Sequence, residues 1–308
     1  MLLFDKKSEP LKRAAIDAPL YCADTLSRKV DYNKMTIRLS ALFIYPVKAL
    51  GAISLEQSLV TPRGLQYDRR FMVVDANHEF LTQRDHPKMA TVWVEIDAGK
   101  NGDEVIFSAP DVDSISFALT PKQLPTRTVK VWASHVRAQT VSAQADQWLS
   151  DYLGADVRLV YMPDSAERRI HPAYAKNNEV VSFADGFPLL ILSDASLEDL
   201  NKRIVKNGGD AVPMNRFRPN LVVSGCDAYA EDRLGDVVIG DALFRAVKPC
   251  LRCQVTTTDQ ASGVVRGPEP LQTLGTYRDS AGGVMFGMNL IPVTLATVRV
   301  GAAVNFRG

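Results

Sequence analysis

Residues 70–82 read RFMVVDANHEFLT, an apolar run followed by a polar turn and then a second short apolar run. Two β-type runs joined by a short polar segment are typical of a β-hairpin. Upstream, residues 37–45 (IRLSALFIY) begin with alternating apolar and polar side chains and end in an apolar run that Pro46 closes. This pattern predicts another strand, so the first half of the chain begins as β-structure.

Further β-type runs continue this pattern downstream. They are separated by Asp, Asn, Gly and Pro at intervals near ten residues, and they cover residues 91–96, 105–108, 114–119 and 129–133. Short strands at this spacing favour an antiparallel barrel or sandwich over an array of alternating strands and helices.

Two segments carry helical signals. Ser142 precedes an amphipathic stretch at 143–153 that Gly154 ends, and Ser193 or Asp194 can cap a second helix at 197–205. The remaining runs predict further strands at 221–224, 237–239, 242–244 (a hairpin through Gly240-Asp241), 254–258 and 293–300. The sequence therefore predicts a β-rich α+β protein with a domain boundary near the first helix.

Composition excludes several classes of protein. The 308 residues carry 36 Lys and Arg against 35 Asp and Glu, so the basic excess of a nucleic-acid binder is absent. No apolar run approaches the roughly 18–20 residues needed to cross a bilayer, and the first residues lack the apolar core of a secretory signal. Four cysteines are no disulfide framework and favour a reducing, cytoplasmic setting. Residues 1–34 lack periodicity, which predicts a poorly ordered extension.

The motifs of common cofactor enzymes are missing. The sequence has no phosphate loop, no strand-linked G-x-G-x-x-G, no H-E-x-x-H and no G-x-S-x-G. Its four histidines are scattered, and its cysteines do not have iron–sulfur spacing. These absences remove the usual support for nucleotide, zinc-hydrolase and ferredoxin chemistry.

Cys250-Leu251-Arg252-Cys253 is the strongest chemical motif. A thioredoxin-like dithiol needs a helix after the motif, whereas the β-branched residues that follow predict a strand. A zinc site needs a second pair of ligands, and neither Cys22 nor Cys226 supplies one. A single soft thiolate for a redox metal remains, and a buried structural cysteine is an equally open alternative.

Arg216 and Arg218 lie two residues apart in a segment that the sequence predicts to be extended. Side chains at this spacing on a strand share a face, so the two guanidinium groups could hold a phosphate between them. The alternative is that each arginine pairs with a carboxylate elsewhere in the protein.

Six stretches, taken together and in order, resemble the MOSC family of molybdenum cofactor proteins, and most closely its amidoxime-reducing branch. The resemblance covers about residues 35–308. The stretches are YPVK at 45–48, DRRF at 68–71, LILSDASL at 190–197, FRPN at 217–220, SGCDAYAED at 224–232 and CLRC at 250–253.

This resemblance implies an N-terminal MOSC β-barrel domain over residues 35–158 and a MOSC β-barrel domain with a few helices over 159–308. Molybdopterin would lie between the two domains, and Cys253 would be both the molybdenum ligand and the catalytic residue. The side chains implied to hold or border the cofactor are Lys48, Arg70, Asp185, Arg218, Asn220 and Arg252. Pyridoxal phosphate binding is a further property associated with the family.

The implied activity is the reduction of N-hydroxylated compounds such as amidoximes, hydroxylamines and N-hydroxylated bases. Because no cluster-binding cysteines follow the last strand, electrons are expected from a separate ferredoxin-, flavodoxin- or cytochrome b5-like protein. The partners expected are that protein and a small substrate, with no nucleic acid and no membrane. A cofactor or sulfur carrier without turnover, and a structural protein with an inert Cys253, are the alternatives. Ala49, the Gly186-Phe187 pair and Leu251 depart from the family pattern and predict a more apolar rim, which affects substrate range.

Overall fold

Strands dominate the computed structural model, which describes residues 36–99, 102–120 and 124–307. The predicted extension at 1–34 lies outside these residues. The described strands are β1 Arg38–Ile44, β2 Ile53–Ser54, β3 Gln57–Thr61, β4 Gly64–Leu65, β5 Phe71–Asp75, β6 Trp93–Gly99, β7 Gly102–Ala109, β8 Val112–Ala118, β9 Thr126–Val131, β10 Ser134–Thr140, β11 Val157–Tyr161, β12 Leu189–Ser193, β13 Leu221–Ser224, β14 Asp236–Ile239, β15 Ala242–Leu251, β16 Met285–Pro292, β17 Thr297–Arg299 and β18 Val304–Arg307. The described α-helices are α1 Ala143–Leu153, α2 Asp194–Lys206 and α3 Leu271–Gly275.

The largest sheet has eight strands in the order β18-β14-β15-β16-β12-β13-β1-β2. Its pairs are antiparallel except β12 and β13, which run parallel. The first strand of the chain pairs with β13, so that Leu39 lies opposite Val223. Leu39 belongs with Phe244 and Leu290 to one buried hydrophobic cluster that stabilises this sheet.

Three smaller sheets complete the β-structure. They have the orders β5-β11-β10-β9, β6-β7-β8 and β17-β3-β4. A second core cluster contains Phe71 and Phe107, together with Leu149 and Tyr152 of α1. The β-rich α+β class predicted from the sequence is confirmed. Over the described residues, no helix has the length and apolar character that crossing a membrane requires.

Helix α1 has the predicted bounds because both of its caps are local. The Ser142 hydroxyl accepts a hydrogen bond from the Ala145 amide at 3.3 Å, and Gly154 takes the left-handed conformation (φ 67°) that ends the helix. Helix α2 begins three residues earlier than predicted. Its cap is Ser193, whose hydroxyl accepts from the Ser196 amide at 3.1 Å.

Two predictions for the C-terminal region are wrong. Residues 254–257 form a 3₁₀ turn rather than a strand, because the hydroxyls of Thr256 and Thr257 donate to the carbonyls of Cys253 and Gln254 and stabilise a tight turn. The predicted strand at 293–300 is reduced to β17, and the long strand β16 was missed. Gly287 has φ 79° and interrupts the apolar run of β16, so the sequence there does not show the continuous apolar pattern of a buried strand.

Candidate functional site

Two adjoining cavities of about 100 and 140 Å³ share six lining residues and form one cleft. We term it the cationic cleft, because its walls carry one carboxylate, that of Asp185, against six cationic side chains: Lys48, Arg69, Arg84, Arg216, Arg218 and Arg252. Lys48, Arg69 and Arg216 are paired with carboxylates of the protein. Among the described residues, Arg84, Arg218 and Arg252 have no such partner, and they are the cations that would attract an anion.

Lys48 and Asp185 form the ion pair on one wall of the cleft. The Lys48 amide donates to the Phe71 carbonyl at 2.9 Å, which fixes the backbone after β1, and the buried Lys48 ammonium binds Asp185 Oδ1. Trp132 Nε1 donates to the same oxygen at 3.1 Å. The surrounding protein wall raises the pKa of Asp185, but Lys48 and Trp132 lower it by more, so this carboxyl is ionised at neutral pH. The Asp185 side chain is 72% exposed, so the ion pair affects its pKa more than burial does.

Arg69 and Arg218 meet over the ring of Tyr45. Their guanidinium carbons lie 4.1 and 4.2 Å from the ring centroid, which is within the range of cation–π attraction. Burial raises the pKa of Tyr45 to about 12, so its phenol keeps its proton and donates to the Pro219 carbonyl at 3.1 Å. Arg69 is also paired with the buried Asp68 at 2.6 Å. Tyr45 therefore holds two like charges close together at the cleft.

Arg218 carries a charge that the protein does not balance. Its backbone has the left-handed conformation (φ 54°), and its side chain donates only to Gln260 Oε1, at 3.4 Å. Within residues 36–99, 102–120 and 124–307, no carboxylate lies within 4 Å of its guanidinium. Burial lowers the pKa of Arg218 to about 10, which still leaves it protonated at neutral pH. An anion in the cleft would supply the missing partner.

The cysteine motif lies where β15 ends. Cys253 is exposed in the cleft at the start of the 3₁₀ turn, whereas Cys250 is half-buried and accepts from Arg252 Nη1 at 3.0 Å. Arg252 Nη2 donates to the Phe217 carbonyl at 2.6 Å, and its buried Nε has no partner. The part of the chain that the structure describes has no group of three or more His, Cys, Asp or Glu able to hold a metal. A metal at Cys253 would need most of its ligands from elsewhere.

Six of the predicted site residues line the cationic cleft, and their roles stay predictions. They are Lys48, Asp185, Arg218, Asn220, Arg252 and Cys253. Arg70 does not line it: its Nε donates to the Met162 carbonyl at 3.1 Å and its Nη2 pairs with Asp164 at 2.8 Å. Arg69 occupies the cleft instead, because it lies in the turn before β5 with φ 48° and its guanidinium is held by Asp68 and Asn220. Arg69 is not among the residues predicted from the sequence, because nothing in the DRRF pattern distinguishes the two arginines.

Asn220 lies at the wall of the 140 Å³ cavity, but its side chain is committed to the protein. Its Oδ1 accepts from Arg69 Nη1 at 3.1 Å and from the Leu190 amide at 3.3 Å, and its Nδ2 donates to the Phe43 carbonyl at 3.1 Å. Through these hydrogen bonds, Asn220 holds the Arg69 side chain in place.

The expectation that Arg216 and Arg218 share one face is wrong. Met214–Arg216 is a 3₁₀ turn rather than an extended segment, so the two side chains diverge. Arg216 donates to the Thr257 carbonyl at 2.8 Å and pairs with Asp259 at 3.2 Å. The alternative interpretation, pairing with a carboxylate, holds for Arg216 only.

Comparison with known proteins gives two family matches. Residues 36–156 match the MOSC N-terminal beta barrel domain, and residues 178–305 match the MOSC domain. The chain is 30% identical over 287 residues to mitochondrial amidoxime-reducing component 1 of Homo sapiens, covering 88% of this chain and 83% of that protein. It is 32% identical over 250 residues to mitochondrial amidoxime reducing component 2 of Macaca fascicularis, covering 78% and 72%. It is also 32% identical over 268 residues to a molybdenum cofactor sulfurase of Oryza sativa subsp. japonica, covering 82% of this chain and 32% of that protein.

Proposed function

Because the chain belongs to the MOSC family, together with the amidoxime-reducing components, we propose that it holds a molybdenum cofactor in the cationic cleft and reduces N-hydroxylated compounds. The observation that carries this proposal is an exposed thiol, Cys253, in a cleft with six cationic side chains and one carboxylate. We also propose a domain boundary near residue 158, between the two matched segments.

The residues present fit such a cofactor. Molybdopterin carries a phosphate, and the unbalanced guanidinium of Arg218 and the unpartnered Nε of Arg252 are the donors that a phosphate would satisfy. Cys253 is a soft thiolate ligand of the kind that a redox metal prefers. When bound, the cofactor supplies the two-electron reduction chemistry that no side chain can supply.

The chain's own residues would donate protons and position the substrate. Reduction of an N–OH group to N–H consumes two electrons and two protons and releases water. Lys48 is held at the cleft by Asp185, and burial lowers the pKa of its ammonium, which favours proton donation to the departing hydroxyl. Asp185 stays ionised and keeps Lys48 in place. The electrons would come from a separate ferredoxin-, flavodoxin- or cytochrome b5-like protein.

The test is the molybdenum content of the protein from a host that makes the cofactor, measured by elemental mass spectrometry beside pterin fluorescence. We expect near-stoichiometric metal in the wild type, loss of metal in Cys253→Ala, and retention in the matched control Cys250→Ala. Metal that is unaffected by Cys253→Ala would refute the ligand assignment. A wild type without metal and pterin would refute the cofactor itself.

A second candidate function is a carrier of the cofactor or of activated sulfur without turnover. The exposure of Cys253 and the similarity to a molybdenum cofactor sulfurase favour it. Turnover separates the two functions: sustained reduction of an amidoxime with reduced viologen as the electron source supports the reductase. A persulfide on Cys253, detected by intact-protein mass spectrometry in the absence of turnover, supports the carrier.

A further inference from the structure

Two glutamine side chains pair beside the cationic cleft. Gln83 Nε2 donates to Gln260 Oε1 at 3.1 Å, and Gln260 Nε2 donates back to Gln83 Oε1 at 2.9 Å. The two residues are 177 positions apart and belong to different family matches, since Gln83 lies within residues 36–156 and Gln260 within residues 178–305. The amide pair is therefore a direct link between the two matched segments.

All the side-chain N–H groups of the pair are used within the protein. Gln83 Nε2 also donates to the Ala49 carbonyl at 2.7 Å, and Gln260 Nε2 also donates to the Thr258 carbonyl at 3.1 Å. A side-chain amide nitrogen carries two hydrogens, so neither glutamine has a donor left for a ligand. The pair therefore cannot hold an anion itself, and its contribution lies in the group that it orients.

The group that the pair orients is Arg218, which lines the cleft. Gln260 Oε1 accepts from Arg218 Nη1 at 3.4 Å, which is long for a hydrogen bond and leaves the positive charge largely uncompensated. The ring of Tyr45 lies 4.2 Å from the guanidinium carbon. Gln260 and Tyr45 together limit the directions that this long side chain can take. An anion that binds to a side chain already held in place loses less free energy to the ordering of that side chain.

The loop that carries Gln260 is held on both sides. On one side, Asp259 Oδ1 accepts from the amide and the hydroxyl of Ser262, each at 2.9 Å, which closes the loop on itself. On the other side, Gly263 has φ 65°, and a Cβ there would lie 3.0 Å from the carbonyl oxygen of Pro87. The loop thus packs against the first matched segment with no room for a side chain, which fixes the position of Gln260.

We propose that Gln260 is a positioning residue of the anion site: together with Gln83 it orients Arg218 in the cationic cleft, and this orientation raises the affinity of the cleft for a phosphate group. Gln260 does not bind the phosphate, because both of its side-chain N–H groups are used elsewhere. Removing either glutamine therefore weakens phosphate binding through Arg218. The inference rests on the proposed function for the identity of the phosphate carrier, but the orientation of Arg218 is testable with inorganic phosphate.

The test is isothermal titration of inorganic phosphate, at neutral pH, into the full chain from a host that does not make the molybdenum cofactor. We expect Gln260→Met and Gln83→Met each to weaken phosphate binding roughly 2- to 12-fold, the range that corresponds to one hydrogen bond. The double variant should bind phosphate about as weakly as either single variant, because the two amides act as one unit. Gln83→Met is the sharper test, since the Gln83 side chain bonds to Ala49 and Gln260 rather than to Arg218.

Ser262→Ala is the matched control, because it removes a hydrogen bond from the same loop and leaves the amide pair and Arg218 in place. It should leave the phosphate affinity unchanged, whereas a general loosening of the loop would weaken phosphate binding in this variant too. If Gln83→Met or Gln260→Met fails to fold, as judged by circular dichroism, Gln260→Ala carries the same test, because it only shortens a half-buried side chain.

Three results would overturn the positioning role, even in a protein with normal molybdenum content and turnover. They are a wild type that binds no phosphate, a phosphate affinity that is equal in wild type and both glutamine variants, and a loss of affinity that is as large in Ser262→Ala. Phosphate binding that depends on both glutamines, in a protein that takes up no molybdenum from a competent host, would support the positioning role and reject the proposed cofactor.

Discussion

Replacing Arg218 with Met should stabilise the cofactor-free protein and weaken its hold on the cofactor. Burial lowers the pKa of Arg218 from 12.5 to about 10, and each pKa unit corresponds to about 1.4 kcal/mol. Keeping this side chain charged without an anion therefore costs on the order of 3 kcal/mol. The cation–π contact with Tyr45 offsets about 1–2 kcal/mol of that cost. Met keeps the apolar stem on the ring and removes the charge, so we expect a gain of about 1–2 kcal/mol in unfolding free energy.

The loaded protein should respond in the opposite direction. A hydrogen bond between Arg218 and a phosphate is worth about 1.5–3 kcal/mol, so Arg218→Met should weaken cofactor retention by roughly 10- to 150-fold. Urea unfolding of the cofactor-free protein measures the first effect. Molybdenum content after dialysis measures the second.

Arg216→Met is the matched control, because Arg216 lies two residues away and is paired within the protein. Its removal leaves Asp259 and the Thr257 carbonyl without their partner, so we expect a loss of about 3 kcal/mol in the cofactor-free protein. An Arg218→Met protein that is destabilised as much as Arg216→Met without cofactor, or that retains the cofactor normally, would refute the unbalanced charge at Arg218.

Three further predictions concern single groups. Burial raises the pKa of Cys226 to about 11, so iodoacetamide at about pH 8 should label Cys253 and spare Cys226; equal labelling in peptide mass spectrometry would contradict this. Ser193→Ala removes the cap of α2 and should lower the unfolding free energy by about 1–2 kcal/mol, and a urea midpoint equal to that of the wild type would argue against the cap. The pKa of Asp185 is lower in the folded than in the unfolded protein, so its stabilising effect is present above about pH 3.8 and is lost as the pH falls through the folded pKa. The stability difference between wild type and Asp185→Asn should therefore be constant from about pH 8 to about pH 5 and shrink below about pH 4, and a difference that changes between about pH 5 and pH 7 would contradict the assignment.

Local signals predicted the parts of the fold that local contacts determine. The bounds of α1 follow from Ser142 and Gly154, which act within one turn of the helix. Residues 254–258 were misassigned because β-branched residues favour strands on average, whereas here threonine hydroxyls bond to nearby carbonyls and stabilise a 3₁₀ turn. Propensity could not reveal which of these two effects dominates.

The candidate site was predictable in its residue types but less so in their positions. Lys48, Arg218 and Cys253 line the cleft, and the roles that the family resemblance implies for them stay predictions. Arg69 lines the cleft where Arg70 was expected, because Asp68 and the distant Asn220 set the direction of the Arg69 side chain. Trp132 gave no signal because its role comes from a turn that tertiary contacts bring to Asp185.

The pairing of β1 with β13 has a consequence for how the protein is made. Phe43 and Asn220, which join these strands, are 177 residues apart, and Asn220 also holds Arg69. During synthesis, β1 cannot pair with β13 before residue 224 has been made, and contacts of such long range form slowly. The cationic cleft, whose walls also include Cys253, therefore assembles only after β1 and β13 have paired, and an anion can be taken up there only from that point. Occupation of the cleft would then mark a molecule in which β1 and β13 have paired.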